Sequence, residues 1–213
     1  MRWTRCENSR AIASILTICR AGHDVPVRLK PVLLVLPVLA LAGCGSNRAP
    51  ATLPKAAANV VVSSHAFKDR ATLPKRFTCD GTGESPPLRW MGVPQQAASI
   101  ALIVSDPDAP GGRFVHWTLY DLPPQVMSLP TGAPVLAGAR QGRNSLGKLG
   151  WAAPCPPKSD PPHHYDFDLY WLDRPVDIPP GAKPGDVLKA IAGAAGGHGR
   201  LVGRYGRGAA KKK

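Results

Sequence analysis

The stretch "ASIALIVSDPDAPGGRFVHWTLYDLPP", residues 98–124, carries two strand signals around one turn. Its first part, residues 98–106, is rich in β-branched and aliphatic residues and almost unbroken in apolarity, which predicts a strand buried on both faces. Its last part alternates. Val115, Trp117 and Leu119 fall on one side, expected to be the core side, and Phe114, His116, Thr118 and Tyr120 on the other. Between them, Asp106-Pro107-Asp108-Ala109-Pro110 and a Gly-Gly pair make a rigid reversal. The prolines fix two carboxylates just ahead of a strand that carries a histidine. A turn with Asx capping accounts for either aspartate alone, so the turn by itself does not demand a site.

Outward from this hairpin the same grammar repeats. "VVVSSHAF", residues 60–67, has strand composition, and "YDFDLYWLD", residues 165–173, puts Tyr165, Phe167, Leu169 and Trp171 on one side. Only "PGDVLKAIAGAAGGHG", residues 184–199, reads as a helix, with Asp186 in its first turn and glycines closing it. With 22 glycines and 24 prolines in 213 residues, short strands and many turns are favoured over long helices. The expected class is mainly β, a β-rich α+β domain with a few peripheral helices. Residues 124–163 contain little periodicity, and so long an irregular stretch inside a compact domain points to function.

The ends read differently. "VRLKPVLLVLPVLALAGCGSNRAP", residues 27–50, has a basic start, an apolar run from Pro31 to Leu41, and then Leu41-Ala42-Gly43-Cys44. The run is shorter than the roughly 20 residues of a spanning helix and has the length of a signal-peptide core. Small residues ahead of a cysteine match a bacterial lipoprotein signal, with Cys44 as the lipidated residue. Residues 1–43 are therefore read as a signal region, and residues 1–26 as a mis-assigned start, with translation beginning nearer Val25 or Val27. Residues 44–58 read as a low-complexity tether, 59–207 as the domain, and 208–213 as a basic tail. The expected location is the cell envelope, anchored to a membrane through Cys44.

The formal net charge is +13, and +9 remains from Cys44 onward once the six basic and two acidic residues ahead of it are set aside. No recognition motif or aromatic stacking array accompanies this charge, so nucleic acid is not the expected partner. Cys79 and Cys155 are the remaining cysteines of an exported domain. An oxidising compartment permits a bridge between them, but spacing does not decide whether their Cα atoms approach.

Asp106, His116, His163 and Tyr165 supply acceptors, imidazoles and a hydroxyl suited to a small anion, since imidazole and phosphate titrate in the same pH range. No ligand spacing such as H-E-x-x-H points to a metal. No serine sits in a G-x-S-x-G elbow, and Cys155 lies between prolines without an evident activating neighbour. The chemistry expected is binding, with no cofactor, rather than catalysis.

Five stretches together carry a resemblance: "CDGTGESPPLRWMGVP", "ALIVSDPDAP", "FVHWTLYDLP", "NSLGKLGWAAPCPP" and "HHYDFDLYWLD". From about Val60 to Arg207 the chain resembles the phosphatidylethanolamine-binding protein family, and more narrowly its bacterial, Raf kinase inhibitor-like branch. The resemblance implies a large antiparallel sheet packed on a smaller one. It also implies a pocket at one end for phosphate, acetate-like anions or a phosphorylethanolamine head group. Carried over by motif, Asp106, His116, Pro157, His163 and Tyr165 are the implied ligand residues, with Asp108 and Trp117 as framework. His164 stands where the family typically has arginine. "GGHGRLVGRYGR" is shorter than the family's usual closing helix, and whether Tyr205 reaches the pocket is open. The family analogy also offers an inhibitor of a protein partner, kinase- or protease-type, as an alternative. A metal-dependent phosphoester hydrolase ranks below both.

Overall fold

The computed structural model describes residues 52–136 and 138–208. The signal region, Cys44 and residues 209–213 lie outside the described residues. Two antiparallel sheets form the domain. The smaller holds β1 (Val61–Ser63), β2 (Leu88–Met91) and β5 (Ser128–Leu129), in the order β1-β2-β5. The larger comprises β3 (Ser99–Asp106), β4 (Phe114–Leu122), β6 (Arg140–Gln141), β7 (His163–Leu172) and β8 (Ala195–Tyr205). Its order is β6-β4-β3-β7-β8. One α-helix, α1 (Pro184–Ala192), and a 3₁₀ turn at Lys75–Phe77 complete it.

The large sheet is the middle layer. On one face, Leu102, Val104, Trp117, Leu119, Phe167 and Leu169 meet Val62, Leu88, Trp90 and Leu129 of the small sheet. On the other, Ala101, Ile103, Tyr120, Tyr170 and Leu172 pack against Val187, Leu188 and Ile191 of α1. Every residue of β3 is buried, which is why its apolar run is unbroken. β2 borders only one core and alternates buried with exposed. Each fully buried aliphatic or aromatic side chain contributes about 1.5–3 kcal/mol.

Simple alternation fails in β4, for a local reason. Val104 pairs with Trp117 but Ser105 pairs with Val115, so His116 is an extra residue, a β-bulge. A second irregularity lies between the pairs Leu102–Leu119 and Ile100–Leu122, where Asp121 takes a left-handed φ of 55°. Val115 therefore joins the α1 core while Trp117 and Leu119 join the other. The single core face expected for these three residues is corrected to two.

The C-terminal run is the second correction. Residues 195–205 form no helix; they make an eleven-residue strand paired with β7 along its length. Its glycines are needed because other chain crosses them. A Cβ at Gly199 would stand 2.2 Å from the Val60 carbonyl oxygen, and one at Gly203 would stand 2.5 Å from Leu73.

A third correction concerns the tether. Leu53 and Ala56 pack against the α1 core, the Tyr170 hydroxyl donates to the Pro54 carbonyl at 3.1 Å, and the His198 N–H donates to Ala57 at 2.8 Å. The packed domain thus begins near Leu53 rather than at residue 59.

Candidate functional site

β3 ends, and β4 and β7 begin, at the same edge of the large sheet: Asp106 pairs with Phe114, and Ser105 with Asp166. These ends, with the loop at 152–157, enclose a cavity of about 240 Å³. Asp106, His116, Pro157, His163 and Tyr165 all line it, alongside Phe114, Leu146 and the 109–110 turn. The β4 bulge places His116 here, with its ring 5.3 Å from that of Tyr165.

Asp106 is 4% exposed and both its carboxylate oxygens are engaged. Oδ1 accepts the Asp108 N–H at 2.8 Å, the Asx turn that the prolines favour, and Oδ2 lies 2.8 Å from His163 Nδ1. Burial raises the Asp106 pKa, outweighing the opposing pull of His163. Burial opposes charge on His163, but its bond to Asp106 and the nearby carboxylates outweigh that and raise its pKa. The second nitrogen of His163 faces Asp160 Oδ2 at 3.4 Å. His163 thus lies between two carboxylates that favour its protonated form, and both ring nitrogens are engaged.

His116 and Ala152 exchange two bonds: the ring Nδ1 lies 2.7 Å from the Ala152 carbonyl, and the Ala152 N–H donates to the His116 carbonyl at 2.9 Å. A carbonyl only accepts, so Nδ1 carries the proton and Nε2 is left for a ligand. Burial pushes the His116 pKa down to about 4. The neutral ring then offers an acceptor at Nε2. The Tyr165 hydroxyl is buried and has no hydrogen-bond partner among the described residues. Burial, with the charge of Asp106, raises its pKa, so it stays a neutral donor.

Asp108 stands outside the cavity, accepting the His164 N–H at 2.8 Å and lying 2.7 Å from its Nδ1. Burial raises the pKa of Asp108, but these bonds outweigh it and the net shift is downward. The His164 departure therefore sits in an adjoining groove with Asp160 and Arg204. Trp117 is buried in the core between the sheets, 5.9 Å and edge-on from Trp151. Tyr205 does not line the cavity; its hydroxyl donates to Asp80, which also pairs with Arg207. Cys79 and Cys155 are bridged, with Cα atoms 5.3 Å apart, and Cys155 lines the cavity.

Sequence reasoning missed Asp160 and the Ala152 carbonyl. Asp160 had a signal, a carboxylate three residues ahead of a histidine across two prolines. Ala152 had none, because its bond to His116 spans 36 residues. Among the described residues no three His, Cys, Asp or Glu side chains are placed to hold a metal ion. The cavity instead combines one carboxylate, an adjacent imidazole whose protonated form is favoured, a neutral imidazole acceptor and an unpartnered phenol. Such a set suits a small ligand with both a proton to donate and an oxygen to receive one.

The model for "Phosphatidylethanolamine-binding protein" matches residues 63–206. A UPF0098 protein of Methanothermobacter thermautotrophicus is 45% identical over 151 residues, covering 69% of this chain and 99% of its own. A Mycobacterium tuberculosis protein named "Putative lipoprotein LppC" is 40% identical over 199 residues, 86% of this chain and 96% of its own. The solved structure of E. coli YbcL, described as a new member of the mammalian PEBP family, superposes with a TM-score of 0.64 at 33% identity. It covers 70% of this chain and 99% of that one. The two-sheet architecture, the strand ends that meet at the cavity and the matched residues place this chain in the phosphatidylethanolamine-binding protein family.

Proposed function

We propose that this protein is a non-catalytic binder of phosphate or phospholipid head-group anions, carried in the bacterial cell envelope by a lipid on Cys44. The observation that carries the reading is convergence. Five residues spread over 60 positions of sequence line one cavity, and the Tyr165 hydroxyl there is buried without a partner among the described residues. A buried hydroxyl left unbonded costs about 1–3 kcal/mol, which an oxygen-bearing ligand would recover. The cavity is smaller than the roughly 300–1,000 Å³ of sites for drug-sized ligands. That size favours a head group over a whole lipid.

The ligand form follows from the charges. Asp106 repels a fully ionised phosphate, while His116 Nε2 can accept a proton from a monoanion and Tyr165 can donate to its oxygen. For the envelope location, the likeness to LppC covers a larger share of this chain than residues 52–208 make up, so it extends beyond the described domain. Among the described residues no helix is long and apolar enough to cross a membrane.

The test is a calorimetric titration with inorganic phosphate and with phosphorylethanolamine, beside His116→Ala and Tyr165→Phe. Binding by the parent, weakened at least about tenfold in both variants, is the expected result, the size of one lost charge-assisted bond. Tyr165→Phe should meanwhile leave the fold as stable or more so. No binding by a folded parent would overturn the reading. A second reading, inhibition of a protein partner, draws on Leu146, which lines the cavity and is 61% exposed, and on Leu149, which is 59% exposed. A partner captured by the parent and lost in Leu146→Ser, but not in Tyr165→Phe, would favour it.

A further inference from the structure

The loop that walls the cavity is attached to the rest of the fold at few points. Ala152 is held by its two bonds to His116. Beyond it, Pro154, Pro156, Pro157, Pro161 and Pro162 have no N–H to donate. Among the described residues the loop's polar and covalent ties to other segments, before β7 begins, are three, beside the burial of Pro154 and Pro156. The Cys79 N–H donates to the Pro154 carbonyl at 3.0 Å, Cys155 is bridged to Cys79, and Asp160 lies against His163 Nε2 at 3.4 Å.

The other side of the bridge is well anchored. Asp80, next to Cys79, is bonded to Tyr205 and Arg207, and Thr78 is buried with its hydroxyl on the Lys75 carbonyl. The bridge therefore joins a fixed anchor to a thinly tethered wall. Both cysteines are exposed to solvent, and Cys155, Pro156 and Pro157 line the cavity.

We propose that Cys79–Cys155 is a redox exchange site that sets the affinity of the anion cavity: bridged, the wall is preformed; reduced, it loosens and binding weakens. This rests on the anion-binding reading above. A dithiol supplies the electrons. Its thiolate attacks one bridge sulfur, the S–S bond breaks, and the other cysteine leaves as a thiolate that takes up a proton. The second thiol of the reductant then attacks the mixed disulfide and releases the first cysteine. Two electrons and two protons end on the protein, and the dithiol ends as its own disulfide. Affinity responds because a loose wall must be ordered when the ligand binds, a cost that a fixed wall has already met in folding. The β3–β4 and β3–β7–β8 ladders do not pass through the loop, so the effect is local.

The test compares the full chain, oxidised and after reduction by dithiothreitol, with Cys79→Ser as a permanently open form. Two readouts are taken: amide hydrogen exchange, and calorimetric binding of inorganic phosphate. On reduction, exchange at residues 152–160 should quicken by about tenfold or more while β7 stays protected. Phosphate affinity should fall by at least about fivefold, and Cys79→Ser should copy the reduced form. Unchanged exchange and affinity would overturn the proposal. So would loss of β7 protection together with the loop, which would make the bridge a staple of the whole fold. If the oxidised chain binds no phosphate, the anion reading falls and takes the affinity claim with it, while the loop clamp is still decided by exchange.

Discussion

Asp106 and His163 share one hydrogen bond, and both hold a proton more tightly than usual. Below its raised folded pKa, which lies above 6.5, His163 is an imidazolium beside the cavity; as pH rises through that value the charge is lost. Asp106, also raised, begins to take up a proton as pH falls, which removes its repulsion of an anion. Both shifts act in one direction, and His116 adds a charge only near its pKa of about 4. Phosphate should therefore bind about tenfold more tightly near pH 5.5 than near pH 8. Calorimetry across that range checks it, and a flat profile would count against the assignment of the pair. At this scale the sequence was informative about identity and weaker about state. Proline brackets and motif order located Asp106, His116, Pro157, His163 and Tyr165. The protonation of His116 depends on a carbonyl 36 residues away, and the engagement of both His163 nitrogens depends on how a loop folds back. Neither is a local property of the chain.

Strand elements were legible where burial was uniform and misleading where it was not. β3 lies between two cores and reads as one apolar run. β4 carries two bulges, and a bulge shifts every later side chain to the opposite face, so a period-2 reading across Val115 and Trp117 fails. β8 was hidden by its glycines, which resemble helix-ending residues until Asn59–Val60 and Leu73 are seen crossing them. The physical cause is tertiary contact overriding local propensity. Gly199→Ala tests this at one position. The added methyl meets backbone rather than a flexible side-chain tip, so the substitution should lower stability by about 1–3 kcal/mol or more. A urea midpoint equal to that of the parent would show that the crossing is looser than described.

For the whole molecule, closure depends on long-range ties. The Cys79–Cys155 bridge spans 76 residues and ties the cavity wall to the segment that Tyr205 and Arg207 hold through Asp80. Residues 53–58 run over the α1 side, and a chain starting at residue 59 would leave the Tyr170 hydroxyl without its Pro54 partner and uncover part of that core. Such a truncation should unfold about 1–3 kcal/mol more easily than one starting at residue 52. Matched chemical melts decide it, and equal midpoints would return residues 53–58 to a tether. The same strap gives the molecule a bow and a stern. It lies beside Leu188, Lys189 and Ala192, the C-terminal turn of α1, and against Tyr170 near the end of β7. The cavity opens where β7 begins, at His163 and Tyr165. Five residues of strand separate Tyr165 from Tyr170, about 17 Å along the sheet. A load attached at the strap is therefore kept a strand's length away from the cavity.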